Sequence, residues 1–315
     1  MHPEIISMGE PMLEFNASEE GSLSEVRQFA VGWGGDTSNF AIAASRLGGK
    51  VGYITRLGND DFGESFIDLW QREGIDISQV ARDAEAPTGI YFISRKGKEH
   101  FFTYYRKNSA ASCIKPEMIP TDYIQNAKLL HVSGISQGIS TSACDAVFTA
   151  LTAAKNATVL VSYDPNLRLK LWPLDRAKAI IHQTVPMADI VLPSLEDAIA
   201  LTGMHNSKEI AHFYLSLGSK VVVLKLGGNG ALLATEEVIE GVSQLKTQTY
   251  APYRVNSVDM AGAGDTFDGA FVVGYLSGWP MDRCMRFANA AAALTTTGLG
   301  AVSPIPNLKE VESLM

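Results

Sequence analysis

The fold is decided by the stretch from residue 129 to residue 225, which contains four apolar runs: LLHVS (129–133), TVLVSY (158–163), DIVL (189–192) and KVVVLK (220–225). Helical patterns separate these runs at 140–155, 175–187 and 196–202. Continuous Val, Ile and Leu runs that alternate with helices are typical of parallel strands covered by helices on both faces. The stretch therefore predicts a doubly wound α/β sheet, in which ligands bind in the crevice beyond the carboxyl ends of the strands.

The residues before this stretch extend the pattern and add a second, smaller sheet. IISM (5–8) is a buried strand by its composition, and apolar residues recur at helical spacing from Phe40 to Leu47. The β-rich runs 88–93 and 99–105 flank RKGK (95–98), which predicts a hairpin. With the segments near 12–31 (12–15 and 23–31), the hairpin region 88–106 predicts a small separate β-sheet. We expect one α/β domain over 1–315, a three-layer sandwich with a mainly parallel sheet and this small appendage.

Composition argues against several classes of function. The 315 residues are 46% hydrophobic and carry a formal net charge of −8, which is unfavourable for a general binder of nucleic acid or anionic membranes. No run of 18 apolar residues and no basic leader followed by an apolar stretch occurs, so we expect a cytoplasmic protein. The three cysteines, Cys113, Cys144 and Cys284, form no CxxC pair, so neither a disulfide framework nor a zinc site is indicated.

The segment DMAGAGDTFDGAF (259–271) carries the sharpest chemical signal. Gly262, Ala263 and Gly264 lead into an apolar helical stretch, so backbone N–H groups and the helix dipole would favour an anion such as phosphate. Asp265 stands where it could accept a proton from an acceptor hydroxyl, and the dipole predicts a lowered pKa for it. The residues alone leave a second interpretation open, a tight turn with Asp265 as the helix cap.

Three further segments are candidates for ligand contacts. GGDTSN (34–39) offers polar groups suited to sugar hydroxyls; we expect one of Asp36, Thr37 or Ser38 to cap the following helix, which leaves the others free. Arg106, in YYRKNSAAS (104–112), could hold a carboxylate bidentately or be a solvated charge. DPNLR (164–168) closes a buried strand, where Asn166 and Arg168 could meet phosphate or carboxylate or form only a turn.

Other motifs limit the chemistry. KLGGNGA (225–231) precedes a strand, not a helix, and is better interpreted as a hairpin turn whose backbone approaches a nucleotide. GxxxxGK[ST] and HExxH are absent from the sequence, which argues against a P-loop and a zincin. A metal is expected only as Mg²⁺ carried by the nucleotide.

Taken together, GGDTSN (34–39), LGNDDFG (57–63) and the block 259–265 resemble the ribokinase-type (PfkB) family of carbohydrate kinases, over essentially the whole chain. The resemblance implies a ribokinase-like fold, ATP and Mg²⁺ as cofactors, Asp265 as catalytic base and an anion hole at Gly262, Ala263 and Gly264. It implies that the small sheet is a lid over the sugar and pairs with a second subunit. The nucleotide contacts it implies are Asn166, Arg168, Ser194, Lys225, Gly227, Gly230, Gly262, Gly264 and Asn289.

Within the family, residues 102–112, DPNLR (164–168) and LW (171–172) are most similar to kinases of 2-keto-3-deoxygluconate. The implied reaction transfers phosphate from ATP to 2-dehydro-3-deoxy-D-gluconate and yields the 6-phosphate. The implied sugar-acid contacts are Gly34, Gly35, Asp36, Thr37, Asn39, Tyr91, Tyr105, Arg106 and Arg168. Fructokinases share the DPNxR piece, so a kinase of a neutral sugar stays open, as does a non-catalytic sugar-binding regulatory protein.

Two departures from the family pattern concern cations. The family's NxxE motif appears as SLED (194–197), where Asp197 would reach Mg²⁺ only through water. Met260 and Ala261 replace the usual Thr pair before the anion hole. Because some relatives bind K⁺ behind this loop, monovalent-cation activation stays open, with Asp259 and Ser303 as candidates.

Overall fold

The computed structural model describes residues 2–97, 99–239 and 242–315. The strands are β1 Ile5–Met8, β2 Met12–Ala17, β3 Phe29–Gly34, β4 Val51–Gly58, β5 Val80–Asp83, β6 Gly89–Lys96, β7 Glu99–Tyr105, β8 Leu129–Ser133, β9 Leu160–Asp164, β10 Ile190–Val191, β11 Val221–Lys225, β12 Ala231–Ile239 and β13 Val242–Tyr250. The α-helices are α1 Asp36–Arg46, α2 Asp61–Arg72, α3 Thr121–Gln125, α4 Gly134–Gly138, α5 Thr141–Asn156, α6 Leu174–Thr184, α7 Leu195–Thr202, α8 Ser207–Ser216, α9 Ala263–Leu276, α10 Met281–Thr295 and α11 Leu308–Leu314.

The main sheet has nine strands in the order β13-β12-β11-β10-β9-β8-β1-β4-β5. The strands from β11 to β5 in this order pair in parallel, whereas β12 and β13 are antiparallel. From β1 the chain extends the sheet to β4 and β5 on one side and to β8 and β9 on the other. The prediction of a doubly wound sheet is confirmed, with its crevice at the carboxyl ends of the strands around β1.

Helices cover both faces of this sheet, because its inner strands are apolar on both sides. Along β11, Val221 and Val223 join one apolar cluster, while Val222 and Leu224 join the other. The first cluster contains buried residues of α1, α2, α9 and α10, and the second contains buried residues of α5, α6, α7 and α8. The three-layer sandwich predicted from the continuous apolar runs is confirmed.

The small sheet has four strands in the order β3-β2-β6-β7. The predicted hairpin is present as β6 and β7; Lys98 of the sequence run RKGK lies outside the described residues. The strand expected at 23–31 begins only at Phe29 and continues to Gly34. Side-chain hydrogen bonds explain the late start, since the Glu25 carboxylate accepts from the Ser22 N–H at 2.9 Å and shapes a turn there. That this sheet acts as a lid within a single domain stays a prediction.

The hairpin predicted at 225–231 is also present, as a short 3₁₀ turn between the antiparallel strands β11 and β12. Helices α8, α10 and α11 were not expected from the sequence. In the described part of the chain, none of the helices combines the length and the apolarity that crossing a membrane requires. A cytoplasmic location stays a prediction.

Candidate active site

The turn before α9 presents backbone N–H groups to the crevice. Gly262 caps this helix with φ of 74°, and a Cβ there would lie 2.5 Å from the Ala301 carbonyl oxygen, so only glycine fits. The N–H groups of Gly264 and Asp265 lie in the first turn, and no acceptor among the described residues binds them. They are available to an anion. Because Asp265 is the third residue of α9, the alternative that it caps the helix is wrong.

Asp265 lies beside α1, although the two segments are far apart in sequence. Asn39 Nδ2 donates to Asp265 Oδ2 at 2.8 Å. Burial raises the pKa of Asp265 to about 7, and the neighbouring Asp36 carboxylate adds to the rise. The lowered pKa expected from the helix dipole is therefore wrong, because desolvation and a like charge outweigh the dipole at this position.

The end of β9 meets the start of α1 at the same edge. Asn166 Nδ2 donates to Asp36 Oδ2 at 2.9 Å, and the Asn166 N–H donates to Asp164 Oδ1 at 3.1 Å. Asn166 has φ of 34°, an uncommon conformation that asparagine tolerates better than most residues. The structure thus brings together the three predicted segments 34–39, 164–168 and 262–265, at the crevice where ligands of such sheets bind.

The segment 34–39 does not turn all its side chains toward this crevice. Gly34 ends β3 and Gly35 is the N-cap of α1. Thr37 is fully buried, and its hydroxyl lies 2.8 Å from the Tyr53 hydroxyl. Contrary to the expectation that it contacts the sugar, Thr37 anchors α1 against β4, because its side chain faces the core side of the first helical turn.

One face of the small sheet carries polar groups toward the crevice. Tyr91 donates a short hydrogen bond to the buried Glu14, and its ring stacks on Tyr104 at 5.8 Å. Tyr105 is 63% exposed and packs against Phe92 on the opposite face. The expectation for Tyr105 is corrected to Tyr104, because neighbouring strand residues point to opposite faces and Tyr104 is paired with Tyr91.

Glu14 was not predicted as a site residue. It lies on β2 directly opposite Tyr91 on β6, and burial raises the pKa of its carboxyl group. The sequence signal available for it was an acidic residue at an inward position of an otherwise apolar strand segment.

Arg106 is not a solvated charge, since its side chain is only 10% exposed. Its Nε donates to Glu10 Oε2 at 2.8 Å, and Nη2 donates to the same oxygen. The other oxygen of Glu10 accepts from the Ser109 hydroxyl. Within the described ranges no acceptor contacts Nη1, which leaves one end of the guanidinium for a ligand. Glu10, a second residue missed from the sequence, directly follows Gly9 at the carboxyl end of β1.

Among the predicted nucleotide contacts, Lys225 differs most from expectation. Its Nζ lies 2.9 Å from Asp164 Oδ2 and 2.9 Å from Asp268 Oδ2. Gly227 and Gly230 lie in the following turn. Asn289 is buried on α10, and its Nδ2 finds no hydrogen-bond partner among the residues described.

Most of the remaining candidates have structural partners as well. Ser194 is the N-cap of α7 and accepts from the Asp197 N–H at 3.1 Å, so it has a capping role. Burial, followed by the Asp164 charge, raises the pKa of Asp197. Arg168, at the end of the segment 164–168 that follows β9, is exposed. The described residues contain no group of three or more His, Cys, Asp or Glu side chains arranged for a metal ion.

The two candidate residues for a monovalent cation, Asp259 and Ser303, have different surroundings. Asp259 accepts from the Ala261 N–H and the Gly300 N–H, each at 3.0 Å, so its carboxylate joins the two loops around Gly262. Ser303 is exposed. This arrangement explains Asp259 without a cation, and K⁺ activation stays a prediction.

Comparison with known proteins gives concordant matches. The model of the pfkB family of carbohydrate kinases matches residues 2–308. The chain is 35% identical to a 2-dehydro-3-deoxygluconokinase of Bacillus subtilis (strain 168), covering 100% of this chain and 96% of that protein. It is 32% identical to the probable fructokinase-4 of Arabidopsis thaliana, covering 99% and 96%. An E. coli protein provisionally named ribokinase II, solved with ATP and Mg²⁺, superposes with a TM-score of 0.89 at 26% identity, covering 99% and 98%.

Proposed function

The chain belongs to the PfkB family of carbohydrate kinases, and we propose that it phosphorylates 2-dehydro-3-deoxy-D-gluconate at its 6-hydroxyl with ATP. One observation carries the proposal of phosphoryl transfer. The Asp265 carboxyl, whose pKa is raised to about 7, lies on the same helical turn as the unpartnered N–H groups of Gly264 and Asp265. A proton acceptor and an anion site are thus within one turn of each other.

The proposed mechanism uses the proton acceptor and the anion site together. Asp265 orients the acceptor hydroxyl and takes its proton as the bond to phosphorus forms. The N–H groups of Gly264 and Asp265 donate to the oxygens of the transferring phosphoryl group and stabilise its developing charge. The Ala263 N–H lies 3.3 Å from the Met260 carbonyl oxygen, a long bond that an incoming phosphate oxygen could replace.

Nucleotide binding is supported by the E. coli neighbour that holds ATP and Mg²⁺. The unpartnered Nδ2 of buried Asn289 would donate to an adenine acceptor, and the turn of Gly227 and Gly230 would lie under the ribose. Mg²⁺ bound to the phosphates would neutralise their charge, and Asp197 would meet it through water.

A sugar acid, and not a neutral sugar, is favoured by the cations near the small sheet. Arg106 holds one end of its guanidinium free beside Tyr104, and Arg168 is exposed at the crevice. A carboxylate gives these two arginines a partner. Gly34, Asp36 and Asn39 would bind sugar hydroxyls. The Arabidopsis relative named as a fructokinase keeps a neutral hexose as the second candidate.

The proposal is tested by ADP release with Mg-ATP and a panel of acceptors: 2-keto-3-deoxygluconate, its galactonate epimer, fructose, ribose and gluconate. Turnover with the keto-deoxy acids, lost in Asp265→Asn, is the expected result. Turnover with fructose or ribose alone would keep the kinase chemistry and contradict the sugar-acid assignment. Sugar binding without ADP release from any acceptor would favour the regulatory alternative.

We also propose that the small sheet closes over the sugar and pairs with a second copy of the chain. Its outer face carries an apolar cluster around Phe92, whose ring contacts the rings of Phe15, Phe29 and Tyr105. Tyr105 is 63% exposed and Val31 is 59% exposed. Exposed apolar patches of this kind mark interfaces between proteins.

A further inference from the structure

A buried ion triad lies directly beneath the candidate catalytic turn. Lys225 Nζ, at the end of β11, is 2.9 Å from Asp164 Oδ2 on β9 and lies 3.0 and 2.9 Å from the two carboxylate oxygens of Asp268 on α9. The side chains are 12%, 7% and 1% exposed, respectively, which excludes a solvated surface pair. A buried cation of this kind has its position determined by its partners.

The triad is connected to the three segments that meet at the crevice, 34–39, 164–168 and 262–265. Asp268 lies one helical turn after Asp265, and a Cβ at Gly264 would be 3.7 Å from Lys225 Nζ. Asp164 also accepts from the Asn166 N–H, and Asn166 donates to Asp36. The ammonium group therefore holds α9 against the ends of two strands, and through Asn166 it reaches α1.

We propose that Lys225 and Asp268 are positioning residues that hold the Asp265 turn in register with the strand ends, and that Lys225 does not serve as a nucleotide ligand. This inference rests on the proposed function, in which Asp265 takes the proton of the acceptor hydroxyl. Three short contacts already occupy the Lys225 ammonium, which has three N–H bonds to donate. A phosphate would have to break one of these buried ion pairs.

The charge of Lys225 also acts on Asp265 itself. The ionisable groups around Asp265 come from α1 (Asp36), β9 (Asp164), β11 (Lys225), α9 (Asp268) and the small sheet (Tyr91). Besides burial, Asp36 and Asp164 raise the pKa of Asp265, whereas Lys225 lowers it. Loss of the ammonium would remove the positive charge that lowers the pKa of Asp265 and would leave the Asp164 charge uncompensated, so ionised Asp265 would form only at higher pH.

The experiment compares Lys225→Met, Lys225→Arg and Asp268→Asn by kcat, by KM for ATP and by the pH dependence of kcat. Lys220→Met is the matched control, because Lys220 begins the same segment and pairs with Asp189 but is 72% exposed. We expect Lys225→Met to lower kcat by roughly 100-fold, since small misplacements of a catalytic group have effects of this size. KM for ATP should stay within about 3-fold of the wild-type value. The decrease of kcat at low pH, called the acid limb below, should move to higher pH.

Lys225→Arg should return the acid limb towards its wild-type position, and Lys220→Met should match the wild type. If Lys225→Met does not fold, the shape-conserving Asp268→Asn variant still tests the inference. We expect it to have a lower kcat and an unchanged KM for ATP, with no shift of the acid limb to higher pH. An increase in KM for ATP at unchanged kcat would overturn the inference in favour of a nucleotide ligand. A fall in kcat with an unmoved limb in Lys225→Met would overturn it as well. If Asp265→Asn retains full kcat, the proposed base is wrong whatever Lys225 does.

Discussion

Arg106 and Glu10 form a buried ion pair between the main sheet and the small sheet, with Arg106 Nε 2.8 Å from Glu10 Oε2. Glu10 follows β1 and Arg106 follows β7, so the pair joins the base of the small sheet to the centre of the main one. Because Glu10 already neutralises Arg106, selection of a carboxylate depends on the direction of the free Nη1 more than on net charge. Glu10 determines that direction.

Removing the Arg106–Glu10 pair should therefore weaken sugar-acid binding specifically. The double variant Arg106→Met with Glu10→Gln avoids leaving a buried charge alone, which is strongly destabilising. We expect KM for 2-keto-3-deoxygluconate to rise by roughly 10- to 100-fold, the loss of a charge-assisted hydrogen bond from Nη1, with KM for ATP unchanged. Steady-state kinetics measure both, with Arg72→Met on the exposed end of α2 as control. An unchanged KM for the sugar acid would contradict the role of Arg106.

The rate should depend on pH through Asp265. Only the ionised carboxylate accepts a proton, and burial raises its pKa to about 7, so kcat should fall as the pH drops below about 7. The measurement is kcat at saturating ATP and sugar acid between about pH 5 and pH 9. A constant kcat down to about pH 5 would show that another group limits the rate or that Asp265 remains ionised in the complex.

The raised pKa of Asp265 has a consequence for stability. The folded protein holds this proton more tightly than the unfolded chain does, so the stabilisation is full at low pH and is lost as the pH rises towards about 7. Asparagine cannot ionise. The Tm advantage of Asp265→Asn over the wild type should grow between about pH 5 and pH 8, to a few degrees. Thermal unfolding tests this, with exposed Asp68→Asn as control; an equal Tm difference at both pH values would refute it.

Gly262 should not tolerate a side chain. In Gly262→Ala the new Cβ would meet the Ala301 carbonyl oxygen at 2.5 Å, at a residue with φ of 74°. Gly278→Ala is a matched control, because its φ is 70° but open space surrounds it. Both variants should lose about 1 kcal/mol from the strained conformation, and Gly262→Ala should lose more because of the contact with the Ala301 carbonyl oxygen. Only Gly262→Ala should also lose kcat, because the anion turn moves. Urea unfolding and kcat distinguish them, and equal kcat in both would contradict the anion role of this turn.

The outer face of the small sheet should control association. Val31→Glu with Tyr105→Glu introduces two charges into the exposed apolar face, where they would be buried by a partner. We expect a dimeric wild type and a monomeric variant in size-exclusion chromatography with light scattering. Leu245→Glu, exposed on β13, is the control and should remain dimeric. A monomeric wild type would contradict the proposed pairing.

Much of the site was predictable because its motifs are local. The run 259–265 predicts a glycine turn before a helix, and the structure has Gly262 as the cap of α9. The runs 129–133 and 220–225 predict buried parallel strands, since both faces of such strands are apolar. Helices α8 and α10 were not predicted, although both exist.

Other properties depend on which segments meet in space. The family resemblance implies Tyr105 as a pocket residue, but the register of β6 against β7 puts Tyr104 on the Tyr91 side. The pKa of Asp265 depends on burial and on Asp36, whose segment is joined to it through Asn39, 226 residues away in the chain. A dipole argument from the helix alone gives the opposite direction.

The sequence by itself determined the doubly wound sheet, the small sheet and the three segments that line the crevice, because apolar periodicity and glycine turns act over a few neighbouring residues. Only the tertiary structure decided that Glu10 holds Arg106, that Lys225 is occupied by Asp164 and Asp268, and that Asp265 has a raised pKa. Ion pairing and desolvation depend on distances between groups that are remote in sequence, so they are set when the strands and helices pack together.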